Sequence, residues 1–239
     1  MKRISVAMAV YNGERFLEEQ LDSILTQLEP QDELIASYDK SKDGTWELLQ
    51  RYQEKYSQLR VIENQHPGVN GNFNNAIAAC TGNYVFICDQ DDRWAENKRS
   101  AVIETFERSG ADMVIHNGVS IDADGKVISE PFFTTYRIGN GKIRNILKSR
   151  YSGCCMAFSR EMKEKIMPMP MDIDAYDRWI GTVGEFMGRI AYDDRILLYH
   201  RLHGNNVTPE SSRSIGVIVR SRIQLVRELW RRWSRERRR

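Results

Sequence analysis

Apolar residues run together at 4–10, then continue at helical spacing through 15–27, where Phe16, Leu17, Leu21, Ile24 and the following Leu28 share one side. A short apolar run at 33–37 predicts a second strand. Asp43-Gly44-Thr45 then supplies turn and cap for a helix carrying Trp46, Leu48, Leu49, Tyr52 and Tyr56. Residues 59–63 predict a third strand, 73–79 a helix, and 84–88 a strand bounded by Thr81-Gly82-Asn83 and a row of acids. Strands alternating with helices predict a parallel sheet covered on both faces.

Beyond residue 94 the pattern changes in kind. Residues 96–107 predict a helix, 113–116 a strand, 121–127 a hairpin or tight turn, 153–159 a small apolar strand and 176–187 a helix. Residues 189–199 read as two short strand pieces around Asp193-Asp194, and 130–141 show no clear period. No internal repeat or low-complexity linker interrupts the chain before its end. The expected organisation is a nucleotide-binding-type half at 1–94, an irregular second half at 95–212 and a tail at 213–239.

The tail has a pattern of its own. Ile215, Val219, Ile223, Val226, Trp230 and Trp233 form an apolar stripe that Ile218, Leu225 and Leu229 widen. Arg220, Gln224, Arg227, Arg231, Arg235 and Arg238 lie opposite, so the segment predicts a basic amphipathic helix. Charge sharpens this. The 239 residues hold 35 Lys plus Arg against 33 Asp plus Glu, a net of +2, yet 213–239 hold ten Arg and two Glu, a net of +8. The remaining 25 basic and 31 acidic groups give the body a net of −6. An acidic body repels phosphate, which argues against nucleic acid and favours an anionic membrane surface for the tail, with docking on a partner protein or self-association as the alternative.

Other classes fall away on composition. A mean hydropathy of −0.54 and no stretch of about 18 uncharged apolar residues exclude a multi-span membrane protein. Residues 4–10 run straight into Tyr11-Asn12-Gly13-Glu14-Arg15 without a small-residue cleavage site, and so read as a strand rather than a leader. Cys80, Cys88, Cys154 and Cys155 lack metal-ligand spacing, which suggests reduced, cytosolic thiols.

Candidate chemistry gathers at the strand ends. Asp89-Gln90-Asp91-Asp92 follows the fourth strand directly, and three carboxylates there repel one another unless a cation joins them. A hard divalent ion, Mg²⁺ or Mn²⁺, bridging to a diphosphate fits that donor set, and this edge is where open α/β sheets bind ligands. Val10-Tyr11-Asn12-Gly13-Glu14 and the segment 39–45 end the first two strands on the same edge. Taken singly, each is an ordinary turn.

Together these segments resemble a known family. The ordered set Ala9-Val10-Tyr11-Asn12-Gly13, Gln20-Leu21-Asp22-Ser23-Ile24, Ser41-Lys42-Asp43-Gly44-Thr45 and Thr81-Gly82-Asn83-Tyr84-Val85-Phe86, leading to Asp89-Gln90-Asp91-Asp92, is similar to glycosyltransferase family 2. The nearest likeness is the bacterial rhamnosyltransferase-like branch. Ser152-Gly153-Cys154-Cys155-Met156-Ala157-Phe158, Asp177-Arg178-Trp179-Ile180 and Tyr199-His200-Arg201-Leu202-His203-Gly204-Asn205-Asn206 continue the match in order, over about residues 4–207.

The resemblance implies an α/β GT-A fold with a Rossmann-like mixed sheet, followed here by the basic amphipathic helix. It also implies inverting, metal-dependent transfer of a sugar from a nucleotide-activated donor to an acceptor hydroxyl. Asp177 matches the general base. Val10, Tyr11, Asn12, Glu14, Tyr38, Asp39, Asn72, Asp89 and Gln90 fall at donor-binding positions. Asp91, Asp89 and His203 match the Mn²⁺ or Mg²⁺ site, with His200 a weaker candidate; Asp92, Trp94, Gly153, Cys154 and Trp179 lie behind these or toward the acceptor. The donor implied is dTDP-rhamnose or a UDP-sugar. The acceptor is a glycan or glycolipid, a lipid-linked or surface-polysaccharide precursor, reached from the cytoplasmic face of the inner membrane.

One departure stands out. The family's second strand usually ends in two consecutive Asp, of which the first reads the base; here Tyr38-Asp39-Lys40 stands there, and Asp39 is expected to take over the base or ribose contact. Two alternatives remain: an inactive family member acting as a membrane-bound assembly partner, and a nucleotidyltransferase. The latter usually shows a Gly-rich, Arg/Lys-containing first loop, of which Asn12-Gly13-Glu14-Arg15 is a poor version.

Overall fold

A computed structural model gives residues 2–148, 150–203 and 214–237. Strand β1 (Ile4–Val10) is buried along its whole length, as its unbroken apolar run requires of a strand covered on both faces. Helix α1 (Leu17–Leu25), β2 (Glu33–Tyr38), α2 (Thr45–Lys55), β3 (Leu59–Glu63), α3 (Val69–Ala79) and β4 (Tyr84–Asp89) follow the predicted alternation. The second half adds β5 (Arg93–Trp94), α4 (Lys98–Ser109), β6 (Met113–Ile121), α5 (Phe132–Tyr136), α6 (Lys142–Leu147), β7 (Met156–Ser159), α7 (Arg160–Ile166), α8 (Tyr176–Met187), β8 (Ile190–Arg201) and α9 (Ile215–Glu236).

Among the described residues the strands form one sheet, ordered β3-β2-β1-β4-β7-β6-β8-β5. Pairing is parallel from β3 to β4 and antiparallel where β7 meets β4 and β6, so the sheet is mixed. The parallel pairing expected of the first half is present, β6 and β8 also pair in parallel, and β7 and β5 make the whole the mixed sheet that the resemblance implies. A strand–helix alternation forces parallel pairing only where each helix carries the chain back to the same end, and β7 enters between β4 and β6 by another route. The chain leaves β1 toward β2 on one side and returns to β4 on the other. That reversal creates a crevice at the carboxyl ends of β1 and β4, the place where open α/β sheets hold ligands.

Several local expectations need correcting. The strand at 113–116 continues to Ile121, and the two pieces expected around Asp193-Asp194 are one strand, β8. Its register against β6 jumps from His116↔Asp193 to Asn117↔Ile196, so the acid pair sits in a bulge rather than a break. Thr105 Oγ1 donates to Asp193 at 2.6 Å and Arg195 folds back on the same carboxylate, which compensates its burial. The aperiodic stretch at 130–141 supplies the short helix α5, which drives Phe132 into the core, before α6 begins at Lys142. Only the last four residues of the strand expected at 153–159 are extended, since Gly153–Cys155 form a 3₁₀ turn.

Helix α9 lies on the body through Leu225, Leu229 and Arg232, which are buried. Arg232 reaches the Met167 and Pro168 carbonyls and covers the Trp179 ring at 5.7 Å; Ser221 Oγ donates to Asp174 Oδ2 at 2.8 Å. Ile215, Val219, Ile223, Val226, Trp230 and Trp233 all remain exposed. The predicted stripe is therefore divided. Its edge docks on the body, while its centre stays at the surface between the docked side and exposed Arg220, Arg227, Arg231 and Arg235. Arg238, the boundary at 212/213 and Gly204-Asn205-Asn206 lie outside the described residues.

Candidate active site

Three strand ends meet at the crevice. Val10 is registered against Tyr38 of β2, and Ala9 against Asp89 of β4. The loops that follow are tied together by their own side chains. Gln90 Oε1 accepts from Tyr11 N and its Nε2 donates to the Tyr11 carbonyl, both at 2.7 Å. A Cβ on Gly13 would stand 2.5 Å from that Gln90 oxygen, so glycine is needed for the clamp to close. Asn12 takes a left-handed φ of +47°, which Asn tolerates better than most residues. Its Oδ1 accepts from Lys42 N at 2.9 Å, and Glu14 Oε2 accepts from Gly44 N at 3.0 Å. Asn72 reaches across from α3 to donate to the Val10 carbonyl at 3.1 Å, and its own Oδ1 is buried without a hydrogen-bond partner.

The β2 end is held by its own side-chain contacts. Both Asp39 carboxylate oxygens are engaged by protein: Oδ1 accepts from Asn64 Nδ2 at 2.6 Å and Oδ2 from Gly68 N at 3.0 Å. Asp39 thus shapes the entry to α3. Tyr38 packs on Trp46 with ring centres 4.9 Å apart, and its hydroxyl accepts from Ser41 N, which leaves an aromatic pair where the resemblance places a carboxylate.

Each of the three acids has its own partners. Asp91 Oδ2 lies 2.9 Å from His203 Nε2. Asp92 is fully buried; its Oδ1 takes His200 Nδ1 at 2.7 Å and Arg201 N at 3.1 Å, and its Oδ2 has no hydrogen-bond partner. Asp89 Oδ2 accepts from the Cys154 thiol at 2.9 Å. Burial, with the charges of Asp92 and Asp91 behind it, pushes the Asp89 carboxyl up to about 7, and burial followed by Asp92 raises Asp91 as well. Closely spaced carboxylates that resist ionising together, Asp92 fully buried and Asp89 and Asp91 partly so, are suited to a divalent cation; oxygen and imidazole donors such as Asp91, Asp89 and His203 suit Mn²⁺ or Mg²⁺.

His200 is better placed than its sequence context suggested. Burial works against its protonated form, yet the charge and hydrogen bond of Asp92, with Asp89 and Asp91 beyond, carry it up to about 9. Its native pKa lies above the unfolded value near 6.5, so the imidazolium stabilises the fold fully below that pH and ceases to do so as pH rises through 9. The contribution is on the order of 3 kcal/mol. The stability gap between wild type and His200→Gln should therefore narrow by about that amount between pH 6 and pH 10 in denaturant melts, and a pH-independent gap would refute the pairing.

Asp177 sits in the first turn of α8, with Ala175 as the N-cap, so it is not the capping residue. It is partly exposed, its Oδ1 accepts from Arg178 N at 2.7 Å, and burial raises its pKa. Tyr176 links it to the acids. The Tyr176 ring stacks on Phe73 at 3.9 Å, and its hydroxyl stands 3.9 Å from Cys154 Sγ. Gly153 makes that approach feasible, because a Cβ there would lie 2.2 Å from the Tyr176 hydroxyl. Two expected residues stand back from this surface. Trp179 is fully buried and donates through Nε1 to the Ile166 carbonyl, and Trp94 is buried beneath the Lys98 ammonium, 4.4 Å from its ring centre. Both act through packing.

Comparison with known proteins decides the family. The family model "Glycosyl transferase family 2" matches residues 5–167. The chain belongs to glycosyl transferase family 2. A Nostoc sp. protein named as an uncharacterized glycosyltransferase is 29% identical over 212 residues, covering 85% of this chain and 66% of that one. The putative teichuronic acid biosynthesis glycosyltransferase TuaG of Bacillus subtilis is 27% identical over 216 residues, covering 86% and 81%. Among solved structures, S. aureus TarS 1-349 in complex with UDP-GlcNAc superposes with a TM-score of 0.73 at 17% identity, covering 97% of this chain and 66% of that one. The mannosyltransferase PcManGT from Pyrobaculum calidifontis, in complex with GDP-Man and Mn²⁺, gives 0.64 at 23%, covering 86% and 58%. The chain thus spans about two thirds or less of several of these relatives, and the likeness to the solved structures establishes the GT-A fold.

The site also holds residues to which sequence pattern assigned no role: Gln20 and Arg201, each inside a quoted motif of this family 2 member, and Lys98, which no motif contained. Gln20 Nε2 donates to the Asp89 carbonyl at 2.9 Å; a polar residue on the apolar side of α1, spaced with Phe16 and Ile24, was the available signal. Arg201 is almost fully buried, donating to the Asp91 carbonyl and pairing with Glu19. Lys98 donates to the Cys154 carbonyl at 2.9 Å, and burial lowers its pKa. Nothing in the local pattern of α4 marks Lys98 for that contact.

Proposed function

We propose that this chain transfers a sugar, with inversion, from a nucleoside-diphosphate donor to a hydroxyl of a lipid-linked or surface-polysaccharide acceptor. One observation supports the reading: the crevice at the ends of β1 and β4 gathers the acids, and Tyr176, the chain neighbour of Asp177 in α8, approaches Cys154, whose thiol donates to Asp89. A sugar hydroxyl is a poor nucleophile at neutral pH, so its attack needs a positioned base, and the departing diphosphate needs its charge met. Asp177, partly exposed and raised by burial, is the base that accepts the acceptor's proton. Asp91, Asp89 and His203 would hold Mn²⁺ or Mg²⁺, which when bound neutralises diphosphate charge.

The first half, 1–94, would take the donor between the Tyr11–Glu14 loop and the Tyr38–Trp46 pair, with Asn12, Asn72 and Gln90 fixing the loops. Asp39 orders 64–68 through Asn64 and Gly68, and would hold the base or ribose contact from that fixed position. Residues 95–212 would present the acceptor, with Asp92, Trp94, Gly153, Cys154 and Trp179 supporting the surface. The donor is best described as a nucleoside-diphosphate hexose; the rhamnosyl branch suggests dTDP-rhamnose, and the UDP-GlcNAc and GDP-Man held by the neighbours make UDP- and GDP-sugars the next to try. The test is a panel of nucleotide sugars assayed for nucleotide release with Mn²⁺, Mg²⁺ or EDTA. Release from one donor only when metal is present is expected, and undiminished release in EDTA would overturn the metal assignment.

No helix among the described residues is long and apolar enough to cross a membrane. The outward stripe of α9, Ile215 to Trp233, beside Arg220, Arg227 and Arg231 instead matches an anionic bilayer surface. Exposed Ile143 and Leu147 on neighbouring α6 extend it, since the Leu147 carbonyl accepts from Arg222 Nε at 3.1 Å. Each basic residue near such a surface contributes about 1 kcal/mol. Deleting the tail would uncover Trp179, so surface substitutions are the cleaner probe. Ile223→Glu with Trp230→Glu should abolish salt-sensitive pelleting with anionic liposomes while the fold persists, and unchanged pelleting would exclude lipid attachment through this face.

A further inference from the structure

The acid cluster contains a donor of a different kind from the Asp91–His203 pair. One ligand atom each from Asp89, Asp92 and Cys154 lie within 4.8 Å of one another. The sulfur is held in place rather than free to turn away. Cys154 lies in the Gly153–Cys155 turn, Lys98 fixes its carbonyl at 2.9 Å, and its thiol is aimed at Asp89 Oδ2 at 2.9 Å. Asp92 supplies a second, independent sign. Its side chain is fully buried; His200 and Arg201 N hold Oδ1, while Oδ2 has no hydrogen-bond partner, and a buried carboxylate oxygen is rarely left so.

Sulfur changes which ion such a site prefers. Hard Mg²⁺ and Mn²⁺ gain little from a thiolate, whereas Zn²⁺ and Cd²⁺ bind mixed sulfur and carboxylate sets readily. We propose that Asp89, Asp92 and Cys154 form a site for a thiophilic divalent cation, set beside the pair assigned to the donor's ion. On binding, the Cys154 S–H bond is lost, a sulfur–metal bond forms and the proton leaves to buffer; no electron is transferred. The site shares Asp89 with the reading above, so Zn²⁺ or Cd²⁺ should inhibit a transferase that Mn²⁺ supports.

The test uses the full chain, freed of metal and kept reduced by a phosphine, titrated with Cd²⁺ while the ultraviolet sulfur-to-cadmium absorption is followed. One equivalent should produce the band. Cys154→Ser should remove it and weaken Cd²⁺ binding at least tenfold, Cys155→Ser should retain it, and Asp92→Asn should keep the thiol yet lose affinity by a similar factor. Circular dichroism melts of each variant establish that it is folded. A band that survives in Cys154→Ser, that disappears in folded Cys155→Ser, or that never forms in the wild type overturns the site. Nucleotide release measured on the same samples separates the two readings. Mn²⁺-supported release without a cadmium band overturns this site alone, whereas a band without release from any donor supports the site and counts against the transfer reaction.

Discussion

Asp177→Asn is expected to reduce transfer by about 10³-fold while leaving donor affinity within about twofold, because a positioned base contributes roughly 10² to 10⁴ in rate. Asparagine keeps the volume of the side chain and the Oδ1 that accepts from Arg178 N, so α8 should start as before. What it loses is the ability to take a proton. The pH profile gives a second reading. Transfer requires the carboxylate form, and burial raises the Asp177 pKa above the ordinary value of 3.8. The acid limb of kcat should therefore lie at higher pH than for an exposed aspartate, with activity falling tenfold per unit below it. Single-turnover transfer with a defined acceptor, beside donor binding by calorimetry, checks both. Full activity in Asp177→Asn would end the assignment.

Asp91→Asn should have an effect of similar size by a different route. Burial and the charge of Asp92 raise the Asp91 pKa despite His203 and His200 nearby, which marks a carboxylate with room for more counter-charge. A divalent cation held there would supply several kcal/mol of stabilisation to the leaving diphosphate, so its loss would correspond to about 10² to 10⁴ in kcat/KM. Mn²⁺ affinity and nucleotide release should fall together. His203→Ala should fall less, by about 10- to 100-fold, if the imidazole is one ligand among several. Unaltered Mn²⁺ binding in Asp91→Asn would move the ion away from this pair. The two predictions are distinguishable, since the Asp177 variant retains metal binding and the Asp91 variant does not.

Much of this was legible in the chain. The unbroken apolar run of β1, the spacing of α1 and the turn at Asp43-Gly44-Thr45 each depend on residues a few positions apart, so local pattern sufficed to predict them. The same holds for the crevice: three loops that each follow a strand must arrive at the same edge once those strands are parallel. Sequence order thereby grouped Tyr11, Asp39 and Asp89 before any coordinate did. The tail helix was equally local, being set by an apolar spacing of three and four.

Tertiary structure decided what depends on partners far along the chain. The insertion of β7 between β4 and β6 joins residues 84–86 to 157–159, and no local period encodes that choice. The assignment of Asp39 to Asn64 and Gly68, and the withdrawal of Trp179 into the core beneath Arg232, follow from burial geometry that residue type alone does not reveal. The division of labour among the acids belongs here too. Asp89, Asp91 and Asp92 are nearly equivalent as sequence, and they differ because Cys154, His203 and His200 reach them from segments at least 65 positions away. Sequence by itself determined which groups would crowd one edge, since chain direction in a sheet is a local consequence. Which partner each charge would meet was left to the fold, because a buried charge is defined by the neighbours that desolvate and satisfy it.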